Sequence, residues 1–273
     1  MSHEVVRTRA GHLAMRCRET GEVMHPGVGP LAEAEALYVR QSRLVERMAE
    51  VAPRPLVLFD VGLGAGSNAV AARSAAERAP SPAARLEIVS FERDLGALAL
   101  ALTHGPAFGL TGEHADAARA LLDADTHDSQ HVAWRLQRGD LLAAMDALRA
   151  SATRADVMFW DPFSPRADPA PWTVRAFATV RALARPGCTL FTYSASTATR
   201  VALLLAGWAV GTGDATGSKA ETTAAAVNVA DLARPLRPPW LRRLSRAHGS
   251  VPLPPDAPPD FAAAIAALPQ FLP

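Results

Sequence analysis

The chain alternates short, largely apolar runs with alanine-rich amphipathic stretches. Apolar runs occupy residues 56–61 (LVLFDV), 86–91 (LEIVSF), 132–138, 155–160 (ADVMFW) and 188–193 (CTLFTY). Helical patterns near 67–78, 94–103, 113–124, 141–150, 172–184 and 197–206 are interleaved with them. A strand that is apolar at nearly every position is buried on both faces, which requires helices above and below its sheet. The alternation therefore predicts a parallel, doubly wound α/β sheet. Two further strand patterns, 208–212 and 222–229, have no long helix between them and are expected to run antiparallel.

Ahead of this region, runs at 4–9 and 12–18 flank Ala10-Gly11 and predict a hairpin. Leu31–Glu50 carries Ala34, Leu37, Tyr38, Leu44, Val45 and Met48 at helical spacing and predicts one amphipathic helix, ended by Pro53 and Pro55. The tail from Arg234 is proline-rich and is expected to be extended, with a short apolar helix near 260–268. The architecture expected is five parallel strands plus an antiparallel terminal hairpin, with a small N-terminal β-hairpin and helix. Its expected parts are a hairpin-and-helix lid over 1–50, a main domain over 51–233 and a Pro/Arg-rich extension over 234–273.

Composition narrows this picture. Residues are 49% hydrophobic, yet no apolar run approaches the ~20 residues that span a bilayer, so no membrane partner is expected. The polar start Met1-Ser2-His3-Glu4 lacks an apolar signal core, and Cys17 and Cys188 form no CxxC, so a reducing, cytoplasmic setting is expected. The 28 basic and 27 acidic residues leave a net charge of +1, not the basic excess typical of nucleic-acid binders. A local basic run, Arg234, Arg237, Arg242, Arg243 and Arg246 around Trp240, is a candidate contact surface. His127 and His131 have i,i+4 spacing but neither an HExxH glutamate nor a third ligand nearby, so no metal is expected. Ser194 lacks a nucleophile elbow.

The candidate chemistry lies at strand ends. "FDVGLGAGSN" places Gly62, Gly64 and Gly66 between a strand and a helix, where bare backbone lets a ligand approach closely and helical amides point at it. The dinucleotide spacing G-x-G-x-x-G would need glycine at 67, where Ser67 stands, and a phosphate loop would need a lysine. Asp60-x-Gly62-x-Gly64-x-Gly66 instead resembles the turn of S-adenosylmethionine (SAM) sites, with Asn68 following. Glu92 and Asp140 end the second and third strands and are candidates for holding a nucleoside. Asp161 ends the fourth, followed by Pro162, Phe163, Ser164 and Pro165.

These motifs together resemble the methyltransferase half of the MnmC family: the acid-x-G-x-G-x-G-x-N turn, "RGD", "DPFSPRADPAPW" (161–172) and "GSKAETTAA" with Gly217, Lys219 and Glu221. The resemblance covers about residues 20–230. It implies a class I SAM-dependent methyltransferase (Rossmann-like) fold, SAM as cofactor, and methylation of the amine of 5-aminomethyl-(2-thio)uridine at the tRNA wobble position. Asp60, Gly62, Gly64, Gly66, Asn68, Glu92, Asp140 and Asp161 are the expected cofactor residues. Asp161 and Phe163 are the expected catalytic pair. His25, Phe163, Trp172, Lys219 and Glu221 are expected toward substrate, with Phe163 and Trp172 flanking a flipped base. The family's bifunctional members carry a following oxidase domain, which nothing after residue 230 here resembles, so a stand-alone enzyme is expected, with another enzyme supplying the free amine. Alternatives that keep the fold are a small-molecule or peptide methyltransferase and an aminopropyltransferase resembling spermidine synthase. A SAM-binding protein without catalysis is a further one.

Overall fold

The computed structural model describes residues 2–25, 27, 29–81, 83–215, 220–246 and 253–272. A hairpin of β1 (His3–Arg7) and β2 (Leu13–Cys17) comes first, followed by α1 (Pro30–Ala34), a π-helical stretch (Glu35–Arg40) and α2 (Leu44–Val51). The alternating region then runs β3 (Leu56–Val61), α3 (Ser67–Glu77), β4 (Leu86–Glu92), α4 (Gly96–Thr103) and α5 (Glu113–Ala124). It continues through β5 (Thr126–Asp128), β6 (Val132–Arg138), α6 (Leu141–Arg149), β7 (Ala155–Trp160) and α7 (Val174–Arg181). β8 (Ala184–Thr192), α8 (Thr197–Leu205), β9 (Ala209–Gly213), β10 (Thr222–Ala226), α9 (Arg242–Arg246) and α10 (Phe261–Ala266) complete it.

Eight strands form one sheet in the order β5-β6-β4-β3-β7-β8-β10-β9. The five central strands are parallel, and β10 runs antiparallel to both β8 and β9. This is the expected class I methyltransferase layout. β3, at the point where the strand order turns, has no exposed position. Its side chains alternate between two cores, Leu56 and Leu58 into one and Val57 and Val61 into the other. Period-two alternation with apolar residues on both sides is what a sheet covered on both faces demands. The first core is closed by α1–α5 with alanines packed close, the second by α6–α8 and the tail.

Three expectations change. The 31–50 helix is broken: Arg43 adopts φ 53° at the N-terminus of α2, and the preceding turn is π-helical. Periodicity does not reveal this, because both halves keep an apolar face toward α3. The first three residues of "THDSQH" form an added edge strand: β5 (Thr126–Asp128) pairs antiparallel with β6, and His127 faces Trp134 in its register. The tail is not a free extended segment. Trp240 is buried and stacks on Phe271 at 6.2 Å and 9°, so the basic run has no aromatic to offer a nucleobase. The Gln270 side chain accepts from the Val210 amide at 2.9 Å and donates to the Val210 carbonyl at 2.6 Å, capping the open edge of β9.

At the opposite end of the sheet from the glycine turn, buried Asp156 accepts two hydrogen bonds from Arg54, both at 2.8 Å, and one from the Val57 amide at 2.9 Å. It ties β7 to β3 and so fixes where their other ends stop. Asp156→Ala leaves a buried amide and a guanidinium without their acceptor and should cost about 2–4 kcal/mol, read as a lower urea midpoint at unchanged slope.

Candidate active site

The carboxyl ends of β3, β4, β6 and β7 converge where a doubly wound sheet places its ligand. The chain leaves β3 through Gly62 at φ 86°, with its amide donating to the Phe91 carbonyl at 3.1 Å. A Cβ at Gly62 would stand 2.6 Å from the Asp161 carbonyl oxygen and 2.8 Å from Pro162 Cα. Only glycine allows the β3 and β7 exits to pass this closely. Gly64 (φ 53°) and Gly66 (φ 85°) continue the turn into α3. Glu92 then holds it: Oε2 accepts from the Gly64 amide at 3.0 Å, while Oε1 accepts from the Arg93 and Asp94 amides at 2.8 and 2.9 Å.

The resulting cleft holds about 280 Å³. Among the described residues it is lined by seven carboxylates (Glu22, Glu33, Glu92, Asp94, Asp140, Asp161 and Asp168) against one arginine, Arg93, and two histidines, His3 and His25. A concave surface so loaded with one sign attracts cations and repels anions. Asp60 is fully buried. Ser90 Oγ donates to its Oδ2 at 2.7 Å and is itself held by Trp134 Nε1 at 2.9 Å, while Oδ1 has no partner. Burial, opposed by the Ser90 hydrogen bond and aided by the charges of Asp161 and Glu92, pushes the Asp60 carboxyl up to about 7.

Asp161 sits at the cleft mouth, its amide donating to the Val61 carbonyl at 2.9 Å. Asn68 Nδ2 donates to Asp161 Oδ2 at 2.7 Å, and His25 Nε2 lies 3.6 Å from the same oxygen. The other His25 nitrogen is 3.8 Å from Glu33 Oε2. The loop beyond Asp161 is braced on three sides. Trp172 Nε1 donates to the Phe163 carbonyl at 2.7 Å, Tyr193 Oη to the Pro162 carbonyl at 3.1 Å, and Ser164 donates its amide and hydroxyl to Glu22 at 3.0 and 2.8 Å. The Glu22 clamp joins the segment after β2 to the loop after β7.

Gly62, Gly64, Glu92, Asp140, Asp161, Phe163 and His25 therefore line one cleft. Asp140 also caps α6, accepting from the Ala143 amide at 3.0 Å. Asp60 lies behind the turn rather than in the cleft. Gly66 packs against Leu98, and Asn68 is buried with its amide on Asp161. Trp172 is only 4% exposed, in a short turn rather than a helix, and edge-on to Tyr193 at 5.7 Å. Its indole props Phe163 and leaves no face for a base. Glu221 bonds Arg200 at 3.1 Å, lies 3.6 Å from Arg243, and lines a separate shallow depression with Ser164, Pro165 and Ser194. Lys219 lies outside the described residues. The sequence reading missed Glu22, Glu33, Tyr38 and Tyr193. Their signal was weak: two acids flanking a turn and two isolated tyrosines.

A Ser–His pair elsewhere is not a second site. Ser74 Oγ is 2.9 Å from His114 Nε2, but Arg73 Nη1, a donor only, faces His114 Nδ1 at 3.3 Å. Neutral His114 must then carry its proton on Nε2 and donate to Ser74, so it cannot act as that hydroxyl's base. No group of three or more His, Cys, Asp or Glu among the described residues could hold a metal, and no helix among them is long and apolar enough to cross a membrane.

A family described as S-adenosyl-L-methionine-dependent methyltransferase matches residues 117–228. The chain is 30% identical over 230 residues to the tRNA 5-methylaminomethyl-2-thiouridine biosynthesis bifunctional protein MnmC of Methylibium petroleiphilum, covering 81% of this chain and 34% of that protein. It is 32% identical over 247 residues to the protein of that name from Ectopseudomonas mendocina, covering 85% and 36%. The chain thus spans about a third of the length of these relatives. Its fold matches the crystal structure of MNMC2 from Aquifex aeolicus with a TM-score of 0.75 at 24% identity, over 98% of this chain and 87% of that one.

The buried Asp60 carboxyl gives a pH signature. The unfolded chain ionises it near pH ~4, whereas the fold keeps it protonated to about pH 7. Between those values the folded state holds the extra proton, so this group makes stability fall as pH rises. Asp60→Asn should therefore gain stability relative to the unsubstituted protein progressively across that window. A difference independent of pH, in parallel urea titrations, would mean that Asp60 is ionised throughout.

Proposed function

The chain carries an MnmC-like, SAM-dependent methyltransferase domain, and from that premise we propose that it methylates the amine of 5-aminomethyl-(2-thio)uridine at the tRNA wobble position. The observation that carries this reading is Asp161. It is a carboxylate on a braced loop, set beside the glycine turn in a cleft walled by acids.

The residues present fit SAM. Gly62 and Gly64 present bare backbone to the cleft, and the acidic wall suits a ligand carrying sulfonium and ammonium charges. Gly62 and Gly64 would lie under it, with Glu92 and Asp140 placed for its nucleoside part. Once bound, SAM supplies an electrophilic methyl group.

The protein's own task is to present a nucleophile. A primary amine is an ammonium in water and has no lone pair to offer until a proton is removed. Asp161 can hold that ammonium and accept its proton, and the Asn68 amide fixes the carboxylate's orientation through Oδ2. Phe163, kept in place by Trp172, gives the cleft an apolar wall for the base plane and excludes water from the nitrogen. Orienting the amine in a fixed line of attack removes much of the entropic cost of the encounter. The substrate must carry a free primary amine, so a separate activity has to expose it. A tRNA substrate also sets the reaction in the cytoplasm.

Asp161→Asn should lower kcat for methylation of tRNA bearing the aminomethyl group by ~10²–10⁴, while leaving SAM affinity close to that of the unsubstituted protein. The assay is single-turnover transfer of labelled methyl groups. Full turnover by the variant would remove Asp161 from the mechanism.

A further inference from the structure

We propose that His25 relays the acceptor's proton away from Asp161 to Glu33, and so to solvent. This rests on the amine reading above. The imidazole stands between two carboxylates from different parts of the chain: Nε2 is 3.6 Å from Asp161 Oδ2, and Nδ1 is 3.8 Å from Glu33 Oε2 on α1. All three side chains are mostly buried, at 14% (His25), 11% (Asp161) and 13% (Glu33) exposure, and all three line the cleft. His25 reaches this position only by taking a left-handed backbone, φ 51°. That conformation is uncommon for a residue other than glycine, and such outliers persist where the surrounding structure demands them. The other ionisable groups here are Glu22 on the loop leading to His25, Tyr38 on the π-helical stretch, Tyr193 at the end of β8, and Asp60, buried behind the glycine turn and raised in part by the Asp161 charge. Burial and then the Asp161 charge raise both tyrosines, so neither competes for the proton at neutral pH. Glu22 is engaged with Ser164.

The proton balance is simple. An N–H bond of the acceptor ammonium breaks, its electron pair stays on nitrogen as the nucleophile, and the proton passes to Asp161. Asp161 gives it to His25 Nε2, the Nδ1 proton moves to Glu33, and Glu33 releases it to water. With the proton passed on, Asp161 is again a carboxylate facing the acceptor, ready for the next transfer. His25 is thus a positioning and relay residue acting through Asp161.

The test compares methyl transfer to aminomethyl-bearing tRNA by the full chain and by His25→Asn, His25→Gly and Glu33→Gln. Asn tolerates the left-handed backbone but cannot relay a proton, and Gly removes the strain altogether. SAM binding by calorimetry serves as the folding control. The relay predicts a kcat loss of about tenfold or more at pH 7 for His25→Asn, shrinking as pH rises and the amine deprotonates unaided. It predicts partial rescue of His25→Gly by added imidazole, and a Glu33→Gln loss that does not add to that of His25→Asn. An unchanged kcat and pH profile in His25→Asn, or an effect confined to KM, would overturn it. If the unsubstituted protein transfers no methyl group to this tRNA, the amine reading itself fails and the relay falls with it.

Discussion

The site depends on one close approach, the backbone of Gly62 against the carbonyl of Asp161 and the Cα of Pro162. No side chain fits between them. This contact lets the exit from β3, which forms the glycine turn, and the exit from β7, which carries Asp161, share one cleft. Its register is set from the far end of the same strands, where Asp156 joins Arg54 and the Val57 amide. The glycine turn and the Asp161 carboxylate are therefore positioned by a single strand pair rather than by two independent loops.

Around that pair the molecule concentrates negative charge. The chain as a whole is nearly neutral, at +1, yet the described cleft wall holds seven carboxylates and one arginine. Such a wall costs desolvation and self-repulsion, and the raised Asp60 carboxyl is one sign of it. The expenditure makes sense if the molecules that enter are cationic where they meet the wall, as SAM and an ammonium group both are. Under the proposed function, the same wall would repel tRNA phosphates, which would then have to be met outside the cleft.

Much of the fold was legible because its signals are local and repetitive. Strands apolar at nearly every position, such as LVLFDV, can only be central, and Ser196, Thr173 and Asp140 mark helix starts as caps do, accepting from the Thr199, Ala176 and Ala143 amides. The glycine turn was legible for the same reason: strand, bare backbone and helix follow one another in ten residues. What was not legible depends on partners distant in sequence. Trp172 resembled a stacking platform, but its indole is committed to the Phe163 carbonyl. Trp240 sat in a basic run, but it is covered by Phe271. Glu33 and Tyr38 lay in what resembled one smooth amphipathic helix, which a π-helical stretch and a break at Arg43 interrupt; Tyr38 meets Asp161, and Glu33 lines the cleft beside His25.

The central claim is that this acidic cleft exists to methylate an amine on a wobble uridine. It is tested most directly by mass spectrometry of tRNA nucleosides in a strain that accumulates 5-aminomethyl-2-thiouridine because it lacks the methyl-transfer step. Expression of this chain should convert that nucleoside to its methylaminomethyl form. Persistence of the unmethylated nucleoside, with the folded protein present and SAM bound, would contradict the account.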